Sequence, residues 1–390
     1  MPTDRNDVIR GPFNGRVVDA LGGDDLLYWG PADGNATLRG GDRLESYDPN
    51  PYNAGNPGGD RLYLTGTQGM NVRLLTTESG TATTGGRTLT FSGIERLHGS
   101  DGNDTISAAG ATTAPAHDRT AQHGVSIYGG AGHDRITGSG IADVLDGGSG
   151  NDTIWAGAGD DFIQSSTGND LIYGQAGNEN IRWGLGNNVA AGNDTIYGGE
   201  AGEGIGDLIN IWGVNGDFRT GVRVTFDGAE SGTATSTMGG VTSTLRFFEF
   251  ENAWSHEGND VVSAASASIG ASRQGIHFNT RWGNDILHGS SGNDTLEGGA
   301  GSDTITGGRG NDLISANADY YNLRAPGDDV RDTLVFARGD GADTVLGFDT
   351  GVDVLQLGGR SYRATEVAGG TLLDLGNGDR ILLSDVFDFI

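Results

Sequence analysis

Residues 128–174 read YGGAGHDRITGSGIADVLDGGSGNDTIWAGAGDDFIQSSTGNDLIYG. Within them Asp134, Asp143, Asp152, Asp161 and Asp170 recur every nine residues, and Glu179 takes the next place in the series. If the acid is counted as position six, glycine dominates positions one, two and four. Position eight is always aliphatic: Ile136, Leu145, Ile154, Ile163, Ile172 and Ile181. A second array repeats the pattern with Asp285, Asp294, Asp303 and Asp312 at position six, followed by Leu287, Leu296, Ile305 and Ile314 at position eight.

Nine residues are too few for a helix and a return. They suit a tight six-residue turn and a three-residue strand. The aliphatic side chain then points inward from mid-strand and its two neighbours point out. Glycine in the turn permits positive φ and close approach of backbone carbonyls to a ligand. Two nonapeptides make one coil of eighteen residues, and successive coils stack as parallel strands about 4.8 Å apart. Asp134, Asp152 and Asp170 then lie one above another, as do Asp143 and Asp161 on the opposite edge. Like charges at that spacing repel unless a cation lies between them. Carboxylates and carbonyls, with no Cys and no His cluster, are hard oxygen ligands and select Ca²⁺. The alternative is a solenoid whose Asx-Gly turns close the coils without metal.

GGAGHDRIT (129–137), GGSGNDTIW (147–155) and GGAGSDTIT (298–306) fit the nonapeptide G-G-x-G-x-D-x-U-x at every fixed position. The chain therefore resembles the RTX, or hemolysin-type calcium-binding repeat, proteins. The resemblance implies an all-β fold, a right-handed parallel β-roll (a β-helix solenoid) with interleaved degenerate coils and a C-terminal β-hairpin cap. It also implies the ligands. One turn offers the carbonyls of positions two and four with its Asp, and the turn eighteen residues on offers those of positions one and three with its own. Carried over, Gly130, Gly132 and Asp134 face Gly147, Ser149 and Asp152, while Gly148, Gly150 and Asp152 face Ser165, Thr167 and Asp170. In the second array Ser290, Gly292 and Asp294 face Gly307, Arg309 and Asp312. Gly157, Gly159 and Asp161, and Gly298, Ala300 and Asp303, complete further turns, and Asp104, Asp143, Glu179, Asp194, Asp260 and Asp285 are the remaining acidic candidates. Ile141 departs from glycine at position four, and Glu179 from aspartate at position six.

Composition agrees with a thin, repeated core. Of 390 residues 72 are glycine, 35% are hydrophobic and none is Cys. The formal charge is −28 and every basic residue is Arg. Such a surface argues against nucleic acid or an anionic membrane as partner and for bound cations. No apolar run approaches the ~20 residues of a membrane span. The opening MPTDRNDVIRGPFNG has no basic and apolar leader pattern of the Sec type.

Four regions are expected. Residues 1–65 hold degenerate coils, in which Asp25, Asp42 and Asp60 read equally as ligands or as turn residues. Residues 66–210 form a first β-roll module with its regular array at 129–183. Residues 211–325 duplicate it, with an array at 281–315. Both modules carry a Thr-rich alternating stretch (ESGTAT at 78–83 and at 230–235) that reads as extended strands in degenerate coils. The insertions 107–124 and 263–276 read as surface loops. Residues 326–390 resemble the C-terminal region of serralysin-type proteins. TLLDLGNGDRILL reads there as a hairpin, and the terminal Asp388, Phe389 and Ile390 resemble a type I export signal.

No enzyme motif accompanies the repeats. H-E-x-x-H and G-x-S-x-G are missing, and without Cys there is no thiol nucleophile. His117 and His123 read as loop residues or a lone metal pair, and Asp48 has no clustered partners. Trp155 and Trp183 either stack sugars or cover a neighbouring coil. The expectation is a secreted, non-enzymatic protein that binds several Ca²⁺ and folds on binding after passing the type I secretion machinery. Extracellular polysaccharide or a cell surface stays open as partner. The rival readings are a polysaccharide lyase or epimerase on a solenoid, and a surface-layer or adhesin component.

Overall fold

The computed structural model describes residues 2, 5–41, 59–112, 124–184, 189–202, 204, 206–212, 221–238, 240–317, 328–387 and 389. The chain divides into two compact units, Met1–Arg182 with Ala191–Asp207, and Trp183–Ala190 with Leu208–Ile390. Asp42, Asp48, His117, His123, Asp388 and Ile390 lie outside the described residues.

In the first unit the chain alternates between two stacks of short parallel strands. One stack includes Arg96–His98, Ser126–Tyr128, Val144–Asp146 and Phe162–Gln164. The other includes Thr105–Ser107, Arg135–Thr137, Thr153–Ala158, Leu171–Ala176 and Asn193–Ala201. In the regular array the register is one coil of eighteen residues: Arg135 pairs with Thr153, Thr153 with Leu171, and Val144 with Phe162. Arg135–Thr137 and Val144–Asp146 are only three residues long and bury only the middle one, while Thr153–Ala158 and Leu171–Ala176 run on into the next turn. Ile136, Leu145, Ile154, Ile163, Ile172 and Ile181 are all 0% exposed. Burying each is worth about 1.5–3 kcal/mol, so a single aliphatic layer per strand holds the coils together.

The second unit repeats the plan. Asn252–Ser255, Gln274–Asn279, Asn293–Glu297, Leu313–Ser315 and Ala342–Leu346 form one parallel stack. Val261–Ser263, Ile286–His288, Thr304–Thr306, Thr333–Val335 and Val354–Gln356 form the other. Leu287, Leu296, Ile305 and Ile314 fill its core and are fully buried. Of the second insertion, 263–276, residues 265–274 are largely exposed as a surface loop requires, but its ends are not loop: Ala264 is buried, and Gly275 and Ile276 belong to the strand Gln274–Asn279, where Ile276 is buried.

The Thr-rich stretches are extended, but they are not ordinary coils. Asn71–Thr76, Ser79–Thr84 and Arg87–Ser92 form an antiparallel meander. Arg223–Phe226, Gly232–Met238 and Val241–Phe248 form another. The first strand of each joins a parallel stack, against Thr105–Ser107 and Val261–Ser263 respectively. The cause is the turn. Gly85 and Gly86 both take positive φ (53° and 76°), which suits a two-residue hairpin that reverses the chain where a nonapeptide turn would carry it on. The C-terminal hairpin lies where the sequence places it. Gly370–Gly376 pairs antiparallel with Asp379–Ser384 around Asn377 and Gly378, and Arg363–Val367 adds a third strand. No helix among the described residues is long and apolar enough to cross a membrane.

Candidate metal centres

Parallel stacking brings the position-six acids into columns. Each aspartate carboxylate named below is tied to the coil before it by a backbone bond. Asp104, Asp134, Asp152 and Asp170 donate their N–H groups to Oδ1 of Asp134, Asp152, Asp170 and Asp194, at 2.7–2.8 Å. On the other edge Asp143 donates to Asp161 Oδ1 at 2.7 Å, and Glu179 to Asp207 Oδ1 at 2.8 Å. In the second unit one column runs Asp260, Asp285, Asp303, Asp332 and Asp353, and the other Asp294, Asp312 and Asp343.

This ladder uses one oxygen and strands the other. Oδ2 of Asp134, Asp152, Asp161, Asp170, Asp303, Asp312 and Asp332 is buried without a hydrogen-bond partner. A native interior rarely tolerates one such atom, because an unmet buried acceptor costs ~1–3 kcal/mol. A repeated set of them marks places where another group completes the coordination.

Backbone oxygens converge on the same places. The turns stack through bridges such as Ala131–Ser149 and Ser149–Thr167. A β-carbon at Gly148 would meet the Gly130 carbonyl oxygen at 2.0 Å, and one at Gly168 the Gly150 oxygen at 1.6 Å. A β-carbon at Gly129 would lie 2.3 Å from the Gly147 oxygen and 2.6 Å from Asp134 Oδ2. The turn of Gly130, Gly132 and Asp134 is thus set against that of Gly147, Ser149 and Asp152. The turn of Gly148, Gly150 and Asp152 is set in turn against that of Ser165, Thr167 and Asp170, where Thr167 N–H donates to Gly148 O at 3.0 Å. Gly159 O faces Gly177 at the turn of Glu179. In the second unit Gly298 and Gly307 sit against Oδ2 of Asp303 and Asp312, and Ala300 and Arg309 donate to the Arg281 and Ser290 carbonyls.

Burial raises these carboxyls far above the usual carboxylate range. Asp134 is pushed to about 8, with Asp152 and Asp104 adding to the effect. Asp161 is pushed to about 8 by burial and by Asp143, and Asp170 to about 9 by burial and by Asp194. Asp303 reaches about 9 and Asp312 about 7, again first through burial. Among the described residues no three His, Asp or Glu side chains converge on one point. A cation here has to be held by two carboxylates and main-chain carbonyls, an all-oxygen set that suits Ca²⁺. The residues fit the ion.

Several members of the columns are not legible as such in the sequence. Asp207, Asp332, Asp343 and Asp353 occupy position six after irregular spacings, betrayed only by an aliphatic residue two places on. Asp25 and Asp60 join a column of their own, where Asp25 N–H donates to Asp60 Oδ1 at 2.7 Å. Position two keeps positive φ even without glycine, at Leu21, Ser166, Gln175 and Arg281. Position five forms a second ladder: Asn169 and Asn193 donate their N–H groups to Oδ1 of Asn151 and Asn169. Trp183 is fully buried. Trp155 stacks on Tyr173, which stacks on Tyr197, and a similar pile of Tyr28, Tyr63, His98 and Tyr128 has ring spacings of 4.3–4.9 Å.

A family model for the RTX calcium-binding nonapeptide repeat (four copies) matches residues 89–111, 128–163, 155–190, 188–201 and 280–314. These repeats are calcium-binding, and the architecture around them is a β-roll. Among solved structures, the extracellular lipase LipA of Serratia marcescens aligns at 18% identity over 77% of this chain, with a TM-score of 0.20. This chain spans 43% of the length of that lipase. Among curated proteins none matches significantly.

Proposed function

We propose that this chain, a carrier of RTX calcium-binding nonapeptide repeats, is an exported protein that folds on taking up Ca²⁺ between its stacked turns, and that it has no catalytic role. One observation carries the reading: buried carboxylate oxygens recur without partners in turns stacked directly on one another, and beside Gly129 such an oxygen, Asp134 Oδ2, comes together with the Gly147 carbonyl of the next turn. Bound Ca²⁺ supplies the positive charge that lets neighbouring buried carboxylates ionise side by side. The rest is done by the chain. The turn glycines bring carbonyls in, the Asp N–H ladder orients the carboxylates, and the position-eight aliphatics close the core as each coil docks.

Such a site stabilises only the folded state, by about 1.4 kcal/mol when the ligand stands at ten times its dissociation constant. A domain's whole margin is about 5–15 kcal/mol, so several sites decide whether the chain folds. Where Ca²⁺ is scarce the chain stays loose enough to thread an export channel. In extracellular Ca²⁺ it closes. The resemblance of the C-terminal region to that of type I substrates supports the export step. Calorimetry of the dialysed chain is expected to show uptake of several Ca²⁺ with gain of β structure by circular dichroism. A chain that takes up none overturns the reading.

A further inference from the structure

Three turns with serine at position two break the pattern of stranded oxygens in the same way; the turn of Asp353 also covers its Oδ2, through the N–H of Asp349 at 2.7 Å, but has no hydroxyl there. Asp104, Asp143 and Asp294 have serine at position two: Ser100, Ser139 and Ser290. In each, the serine N–H donates to Oδ2 of the aspartate, at 2.6, 2.6 and 2.7 Å. The serine Oγ–H donates to Oδ1, at 2.8, 2.8 and 2.7 Å. The hydroxyl is itself satisfied, accepting the N–H of position four from Gly102, Ile141 or Gly292. Both carboxylate oxygens, one of them bare in the glycine turns, are covered by donors.

The backbone differs as well. Gly130, Gly148, Gly299 and Gly308 at position two have φ of 87–102°, and Gly132, Gly150, Gly301 and Gly310 at position four have φ of 121–138°. Neither position is left-handed in the serine turns. Their position-two peptide turns its N–H to the carboxylate, so donors occupy the region that a cation would need lined with acceptors. Serine alone is not the signal. Ser166, also at position two, keeps φ at 65° and gives its hydroxyl to Asp146, and Oδ2 of its own Asp170 stays bare.

The three turns share a place in the fold. Each holds the first acid of its column. The coil before offers an apolar residue at the equivalent bond: Met70, Val125 or Ile276 donates its N–H to the aspartate Oδ1 at 2.6–2.7 Å. No second carboxylate stands on that side, so an ion at a serine turn would lie between it and the turn after, where Asp134, Asp161 or Asp312 is the second carboxylate. The column headed by Asp260 has His256 at position two and lies outside this group.

We propose that Ser100, Ser139 and Ser290 stand in for the cation, closing the first turn of three columns to metal so that ions are held only between the glycine turns beyond. This rests on the calcium reading above. The test is equilibrium dialysis of the full chain against radioactive Ca²⁺, with circular dichroism to check folding. S100G and S290G are the decisive variants because position four is already glycine there. Each is expected to bind one ion more than the wild type and the double variant two more. S290A, which keeps the backbone and loses the hydroxyl, is expected to keep the wild-type count. If folded S100G and S290G bind the same number as a calcium-loaded wild type, the serine proposal falls alone. If the wild type binds none, the calcium reading falls with it. Should one variant fail to fold, the other, in a different unit, decides.

Discussion

A β-carbon at residue 150 would lie 1.6 Å from the Gly132 carbonyl oxygen, on a backbone held at φ 130°. Both the clash and the left-handed strain follow from bringing two turns close enough to share a ligand. Gly150→Ala is therefore expected to destabilise the loaded protein by more than ~2 kcal/mol. Gly140→Ala, with open space around the new carbon and no positive φ, is expected to stay within ~1 kcal/mol of the wild type; thermal melts in Ca²⁺ compare the two. The carboxylates make a second prediction. Raised carboxyls bind more protons in the folded than in the unfolded state. The calcium-free roll therefore loses stability as pH rises from the unfolded value of about 4 towards the folded values near 7 for Asp152 and 9 for Asp170. Melting of the dialysed, calcium-free chain is expected at higher temperature at pH 5 than at pH 8. The opposite order would show that these carboxyls are not buried in the calcium-free state. The regular acids were legible from spacing alone, whereas the serine contacts were not, because no period reveals which way a peptide N–H turns.

Strands of three residues have one inward side chain each, so the core is only as strong as its position-eight column. Ile154 is fully buried between Ile136 and Ile172, its partners in register. Ile154→Ala is expected to cost about 2–5 kcal/mol in chemical denaturation of the calcium-loaded protein, while a change at the half-exposed Thr153 beside it stays within ~0.5 kcal/mol. The alternation of buried and exposed residues was readable because nine residues leave room for nothing else. The meanders were readable only as extended segments. Nothing in ESGTAT says whether it ends in a coil turn or a hairpin, and that choice falls to Gly85 and Gly86. Asp332 and Asp353 escaped for a related reason: the gaps before them, 29 and 21 residues, break the clock while their strands keep register.

A formal charge of −28 is carried by a chain that buries many of its acids. Without counter-ions the compact state has to protonate those acids or give way. The same chain dialysed against chelator at pH 8 is expected to lose most of its β signal and regain it in millimolar Ca²⁺; an unchanged spectrum would leave the carboxylate columns with no bearing on folding. The aromatic piles add a means of watching that closure. Tyr28, Tyr63, His98 and Tyr128 come from four successive strands of one stack, and His98 is held neutral because burial pushes it to about 4. Their rings face one another only when the coils carrying them have docked. Trp155, Tyr173 and Tyr197 do the same on the other stack. Chromophores locked in such a chiral column couple their electronic transitions, so the native chain comes with built-in optical labels: a near-ultraviolet dichroic band that rises coil by coil and needs no dye.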